Sequence, residues 1–256
     1  MRFVRYLYGS DAPRYGWIYE DRIGPVDGSP VGDYRRLEAD IPIEKVKLLA
    51  PILPGKIVCV GRNYVEHAKE QSAELPDVPL LFLKPLTSVI GPATPILLPP
   101  QSQRVDHEGE LAVVIGQGGR WIPIERAMQH VFGYTCANDV TARDLQRRDG
   151  QWTRAKGFDT FCPLGPWIET ELEYEDTLIT CHVNQEMRQM ASTNEMVFSV
   201  AQLITFVSSV MTLEPGDVLL TGTPAGIGPL EEGDVVEVNI DGIGALRNPV
   251  RKERGS

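Results

Sequence analysis

Two glutamates separated by one glycine, Glu108-Gly109-Glu110, stand directly before the apolar run 111–115. In an extended chain alternate side chains share a face, so both carboxylates point the same way. Side by side they repel each other unless a proton or a cation lies between them. The apolar half-strand that follows sets them at the mouth of a core. A hard divalent ion such as Mg²⁺ or Mn²⁺ takes carboxylate oxygens and suits this pair. Two exposed acids at a solvated strand end would read the same way, so a third oxygen ligand is needed to decide. Asp139 offers one, straight after the strand-like run 131–137, although Asn-Asp also marks turns and helix starts. Asp144 competes for any ligand role.

His67 is one of four histidines and lies three residues before Glu70. Residues 64–74 read as a short helix with Asn63 as its cap, and spacing of i, i+3 puts His67 and Glu70 on one face. A carboxylate beside an imidazole fixes its tautomer and raises its basicity, as a water-activating base requires. A surface His–Glu pair on a helix is the plainer alternative. Lys156 places a cation beside Gly157, and Thr221-Gly222-Thr223-Pro224-Ala225-Gly226 is a loop of N–H groups and hydroxyls suited to a carboxylate or phosphate. It lacks the GxxxxGK[ST] pattern and is not a P-loop.

The elements that must position these groups are short. The chain has 24 glycines and 20 prolines, spread throughout, with apolar runs between them. That texture predicts a mainly β protein with short helices, of α+β class. Residues 3–8 and 15–19 alternate as strands of a small N-terminal β unit. An apolar connector covers 46–53. Further strands are expected at 56–60, 80–83, 88–90, 108–115, 166–169, 178–183, 217–221 and 234–240. A Pro-rich turn covers 92–100, a short helix 124–130, and a hairpin turn Asn184-Gln185. The best helix is 198–211, where Val200, Leu203, Ile204, Val207 and Met211 recur at helical spacing. Residues 247–254 read as a short polar tail.

A chain of 256 residues can bury a core without disulfides or a structural metal. Its net charge of −10 argues against a nucleic-acid partner and leaves any anionic substrate in need of a local cation. Cys59, Cys136, Cys162 and Cys181 form no CxxC pair and read as reduced core thiols. No signal peptide or membrane-spanning stretch is visible, so the expected location is the cytoplasm.

Six segments, in order and at intact spacing over roughly 55–250, together resemble the fumarylacetoacetate hydrolase superfamily. They are Val60-Gly61-Arg62-Asn63-Tyr64 running into His67, Leu83-Lys84-Pro85, His107-Glu108-Gly109-Glu110-Leu111, Asn138-Asp139-Val140-Thr141-Ala142-Arg143-Asp144, Lys156-Gly157-Phe158-Asp159 and the 221–226 loop. The resemblance implies a mixed β-sandwich roll over 51–256, a small N-terminal β domain over 1–50, a homodimer and a bound Mg²⁺ or Mn²⁺. It implies Glu108, Glu110 and Asp139 as metal ligands. His67 and Glu70 would be the water-activating dyad on a lid that orders with substrate, and Lys156 the site cation. Thr223, Arg143 and Gln146 would be substrate contacts.

The substrates so implied are small 2-oxo acids with a second carbonyl or carboxylate, reacting through an enolate. The first expectation is a hydrolase cleaving a C–C bond in an acylpyruvate-type 2,4-dioxo acid. Oxaloacetate decarboxylation or tautomerisation is the alternative, and 2-hydroxyhepta-2,4-diene-1,7-dioate isomerisation the third. A non-catalytic metal-dependent binder of 2-oxo acids is the reading of another class.

Overall fold

Frequent turn residues leave little room for long helices, and the chain folds as short strands around two layers of core. The computed structural model describes residues 1–254. Strands β1 (Arg2–Tyr8), β2 (Arg14–Tyr19), β3 (Arg22–Gly28) and β4 (Tyr34–Arg36) form an antiparallel meander. β5 (Ile41–Pro42) and β6 (Val46–Leu49) pair back onto β3 and β1, so the connector expected over 46–53 begins as a strand.

β7 (Ile57–Gly61), α1 (Val65–Glu70), β8 (Leu80–Lys84) and β9 (Val89–Ile90) follow. α1 is shorter than the helix expected over 64–74. β10 (Ile96–Leu98) lies within the stretch read as a Pro-rich turn. β11 (Val105–His107) and β12 (Gly109–Ile115) flank Glu108, which sits at the break between them. A 3₁₀ segment, Ile124–His130, replaces the expected short helix.

β13 (Val131–Asn138) and β14 (Thr141–Ala142) lead into two helices that the sequence pattern did not predict, α2 (Arg143–Asp149) and α3 (Thr153–Lys156). The remainder is β15 (Cys162–Glu169), β16 (Leu178–Val183), β17 (Glu186–Ser192), α4 (Val200–Val210), β18 (Val218–Leu220), β19 (Gly228–Pro229), β20 (Val235–Ile240) and β21 (Gly244–Lys252). The supposed polar tail is mostly β21. It pairs with β20 and β10 and buries Leu246, Asn248 and Val250 on alternate positions while its arginines face out.

Among the described residues one large sheet runs β4-β3-β2-β1-β15-β13-β12-β18-β7-β8. A five-stranded sheet runs β10-β21-β20-β16-β17, and a small one β14-β11-β19. β12 is the central strand for function, and both its faces are covered. Leu111, Val113 and Ile115 pack in one core with Ile179, Val238 and the α4 residues Leu203, Ile204 and Val207. Ala112 and Val114 pack in the other with Ile57, Leu164 and Leu220. This explains the unbroken apolar run after Glu110. α4 starts at a capping box in which Ser199 and Gln202 exchange side-chain and backbone hydrogen bonds. No helix among the described residues is long and apolar enough to cross a membrane.

Asn63 does not cap α1; Tyr64 occupies that position and makes no side-chain cap bond. Buried in the core, the Asn63 amide instead donates to Thr221 O (2.8 Å) and Phe198 O (3.0 Å) and accepts the Phe198 N–H (2.7 Å). It ties β7 to the start of α4 and to the end of β18. Asn63→Ala would strand two carbonyls and an N–H, each costly when buried. We expect a loss of about 3 kcal/mol, seen as a lower urea midpoint. An unchanged midpoint would show that water replaces the amide.

Candidate active site

The ends of β7, β11, β12, β13 and β18 converge with α1, α2 and α3 on one cleft of about 220 Å³. Glu108 and Glu110 reach it from either side of the β11–β12 break, and Asp139 from the end of β13. The Asp139 N–H donates to Glu108 O at 2.8 Å, which fixes the two segments together. Ligand oxygens of Glu108, Glu110 and Asp139 lie within 4.8 Å of one another, and all three side chains are buried. Asp144 is elsewhere, accepting hydrogen bonds from Ser102 and the Gln103 N–H.

Three buried cations answer these acids. Lys156, at the end of α3, bridges Glu108 (2.7 Å) and Asp139 (2.5 Å). Lys84, at the end of β8, holds the other Asp139 oxygen at 2.6 Å. Arg143, opening α2, donates to Asp106 (2.9 Å), to Gln146 (2.7 Å) and to Glu108. Burial alone would push Glu108 up, but the charges of Lys156 and Arg143 outweigh it and hold the carboxyl well below its usual value. Burial pulls Lys156 down, and Asp139 and Glu108 more than restore it.

Glu110 is different. It has no ion-pair partner among the described residues and accepts only the Gly222 N–H, at 2.8 Å. Burial, then Asp139 and Glu108, push its carboxyl well above the usual value. Asp106 is answered by Arg104 and Arg143, Glu108 by Arg143 and Lys156, and Asp139 by Lys84 and Lys156, so among the described residues Glu110 alone of these acids has no cation. A divalent cation among Glu108, Glu110 and Asp139 would give Glu110 the positive partner it lacks, and three carboxylates are a donor set such ions accept.

His67 lines the cleft from α1 and is 6% exposed. Its Nδ1 meets Glu70 Oε2 at 3.3 Å, and Glu70 Oε1 accepts the Gly226 N–H at 3.1 Å. Burial pushes Glu70 up, but the hydrogen bonds from His67 and Gly226 prevail and hold it below its usual value. An ionised carboxylate only accepts, so Nδ1 carries a proton towards Glu70, and in the neutral ring Nε2 is the acceptor. Glu70 itself stands behind His67, outside the cleft lining.

Two expected substrate contacts are already engaged. Each nitrogen of the Arg143 guanidinium already donates one hydrogen bond, as above, which leaves two of its five N–H groups. The Thr223 hydroxyl donates to Gly109 O (2.8 Å) and accepts from Gln189 Nε2 (2.8 Å). Gln146 accepts from Arg143 through its oxygen, which leaves its amide nitrogen to donate. The 221–226 loop gives N–H groups to Glu110 and Glu70, carboxylates of the chain itself. Sequence reasoning assigned no role to Lys84, although the Leu83-Lys84-Pro85 motif carried it. It also missed Asp106, Gln189 and the cleft-lining Arg62, Phe82, Arg147 and Trp152.

Glu110→Gln separates charge from shape. A carboxyl held up in the fold loses its stabilising contribution as pH rises past the unfolded value, about 4.3. At pH 7 the chelated variant should therefore melt no lower than chelated wild type. Saturating Mn²⁺ should raise the wild-type Tm by about 5 °C and leave the variant unmoved. Equal shifts in both proteins would remove Glu110 from the ligand set.

Residues 56–251 match the family described as fumarylacetoacetate (FAA) hydrolase C-terminal, and residues 1–51 match one described as Rv2993c-like, N-terminal. The human protein named oxaloacetate tautomerase FAHD2B, mitochondrial, is 48% identical over 232 residues, which cover 84% of this chain and 74% of that protein. Two solved structures match nearly throughout. The 5-carboxymethyl-2-hydroxymuconate delta-isomerase of Mycobacterium smegmatis is 45% identical with a TM-score of 0.93, covering 99% of this chain and all of that one. The 2-hydroxyhepta-2,4-diene-1,7-dioate isomerase of Mycobacterium marinum is 42% identical with a TM-score of 0.92, covering both chains completely. The chain with this buried acidic site is an enzyme of the fumarylacetoacetate hydrolase superfamily.

Proposed function

We propose that the protein is a divalent-metal-dependent tautomerase of oxaloacetate or a closely related 2-oxo dicarboxylic acid. The observation that carries this reading is a single oriented base, His67, beside a carboxylate triad in one small cleft. The names of the relatives support proton transfer, tautomerisation or isomerisation, over the C–C hydrolysis first expected.

In this reading His67 Nε2 takes the proton from C3 of the keto acid and returns it to the oxygen on C2, giving the enol; the reverse path regenerates the ketone. One base serves both positions, and no water is consumed. Glu70 holds the imidazole in the required tautomer and stabilises its protonated form. The Lys156 ammonium offsets negative charge developing on the C2 oxygen, in a site where burial strengthens its effect. Gln146 presents its amide nitrogen to a substrate oxygen. Glu108, Glu110 and Asp139 would hold the ion, Mg²⁺ or Mn²⁺, which when bound supplies Lewis-acid stabilisation of the same charge.

His67→Ala should slow keto–enol interconversion of oxaloacetate by about 10²–10⁴-fold, followed by the ultraviolet absorbance of the enol. Glu70→Ala should be milder, since His67 remains. Chelation should abolish the activity, and Mg²⁺ or Mn²⁺ should restore it. If the unmodified, metal-loaded protein accelerates the interconversion no more than metal alone, the proposal fails; acylpyruvate hydrolysis under the same conditions would reinstate the hydrolase.

For assembly, the edge strand β8 supports a homodimer. It ends the large sheet and exposes Leu80 and Leu83, with Leu86 just beyond. Apolar strand edges left in water invite pairing, and a second copy is the partner we infer. Light scattering should give twice the monomer mass, and Leu83→Glu should shift the protein towards monomer.

A further inference from the structure

Positive charge in the cleft is divided between groups already paired and groups still open. Lys84, Arg143 and Lys156 are buried and paired with Asp106, Glu108 or Asp139. Arg62 and Arg147 line the same cleft, half-buried and exposed respectively, and neither has an ion-pair or side-chain hydrogen-bond partner among the described residues. The nearest acid in sequence, Asp149, is held by Arg154 (2.5 Å) and Arg148 (3.6 Å). Arg147 stands four residues after Arg143 on α2, so the two share a helix face. In a chain of charge −10, two open guanidinium groups on one cleft form a local anion-attracting field.

The wall beside them is apolar and closely packed. Phe82 and Trp152 meet edge to face with ring centroids 5.2 Å apart. Gly61 lies so close to the indole that an added Cβ would come within 2.7 Å of it. The cleft therefore has a charged floor, an aromatic side and a cationic rim. An anion carrying charge at one end only would leave that rim unanswered.

We propose that Arg147, assisted by Arg62, recognises the second carboxylate of the substrate and gives the enzyme its preference for dicarboxylic 2-oxo acids over those with a neutral tail. The inference rests on the reading of this cleft as a 2-oxo acid site. A planar guanidinium matches a carboxylate with two parallel hydrogen bonds, which an ammonium cannot reproduce.

Two probes of similar size separate the ends of the substrate. Oxaloacetate carries a distal carboxylate, and acetopyruvate carries an acetyl group in its place. Binding of each to Mg²⁺-loaded protein can be read by stopped-flow tryptophan fluorescence before turnover, since Trp152 lines the cleft. Arg147→Gln should raise the Kd of oxaloacetate about tenfold and leave that of acetopyruvate within about twofold. Arg147→Lys should recover only part of the loss, and Arg148→Gln should change neither. An equal effect on both probes, or on neither, overturns the proposal. If wild type prefers oxaloacetate and Arg147→Gln loses that preference, but tautomerisation is not accelerated, the proposed activity falls and this inference stands. If tautomerisation is accelerated and the two probes bind alike, this inference falls alone. If neither probe binds, both fall.

Discussion

Buried like charge is the constraint on which the rest of the structure depends. Asp106, Glu108, Glu110 and Asp139 are gathered where water cannot screen them. Unpaired, they would be prohibitively costly to bury. Each surrounding element answers part of that cost. β8 brings Lys84, α2 brings Arg143 and α3 brings Lys156, and the loop after β18 turns the Gly222 N–H towards Glu110. The buried faces of α2 and α3 each carry a cation, Arg143 or Lys156, beside Leu145 or Ala155. α4, by contrast, is anchored by Leu203, Ile204 and Val207 in the core.

Of these acids, the one left without a cation among the described residues is Glu110. A fully neutralised floor would be stable and inert. In the proposed reading, leaving one carboxylate without a cation keeps the site receptive to an external positive charge, with Lys156 and His67 lining the same cleft. The same arrangement exposes the protein to destabilisation when no such charge is present.

Much of the site was legible because its residues are close in sequence. Glu108 and Glu110 share a strand parity, and His67 and Glu70 a helical turn. Asp139 became persuasive only with the six-segment resemblance, because its approach to Glu108 depends on the β12–β13 pairing. Lys84 was illegible as a partner of Asp139 for the same reason: 55 residues separate them. Arg143 was expected at the substrate; it does line the cleft, but its bonds to Asp106, Gln146 and Glu108 are visible only in the geometry. α2 escaped notice because seven mostly charged residues after a two-residue strand carry little periodicity. β21 was mistaken for a tail because its arginines dominate the composition, although Leu246, Asn248 and Val250 carry the alternation of a strand.

The loop from Gly222 to Gly226 touches the site at two points: its first N–H holds Glu110 and its last holds Glu70. Five residues therefore span the acid that lacks a cation and the acid bonded to His67. A substitution that shifts this loop moves both at once, so in the proposed reading ion affinity and base geometry cannot drift independently. Mutations here should be strongly epistatic with changes at either acid. Divergence towards new substrates meets least resistance at Arg62 and Arg147, which line the cleft without pairing to its acids among the described residues.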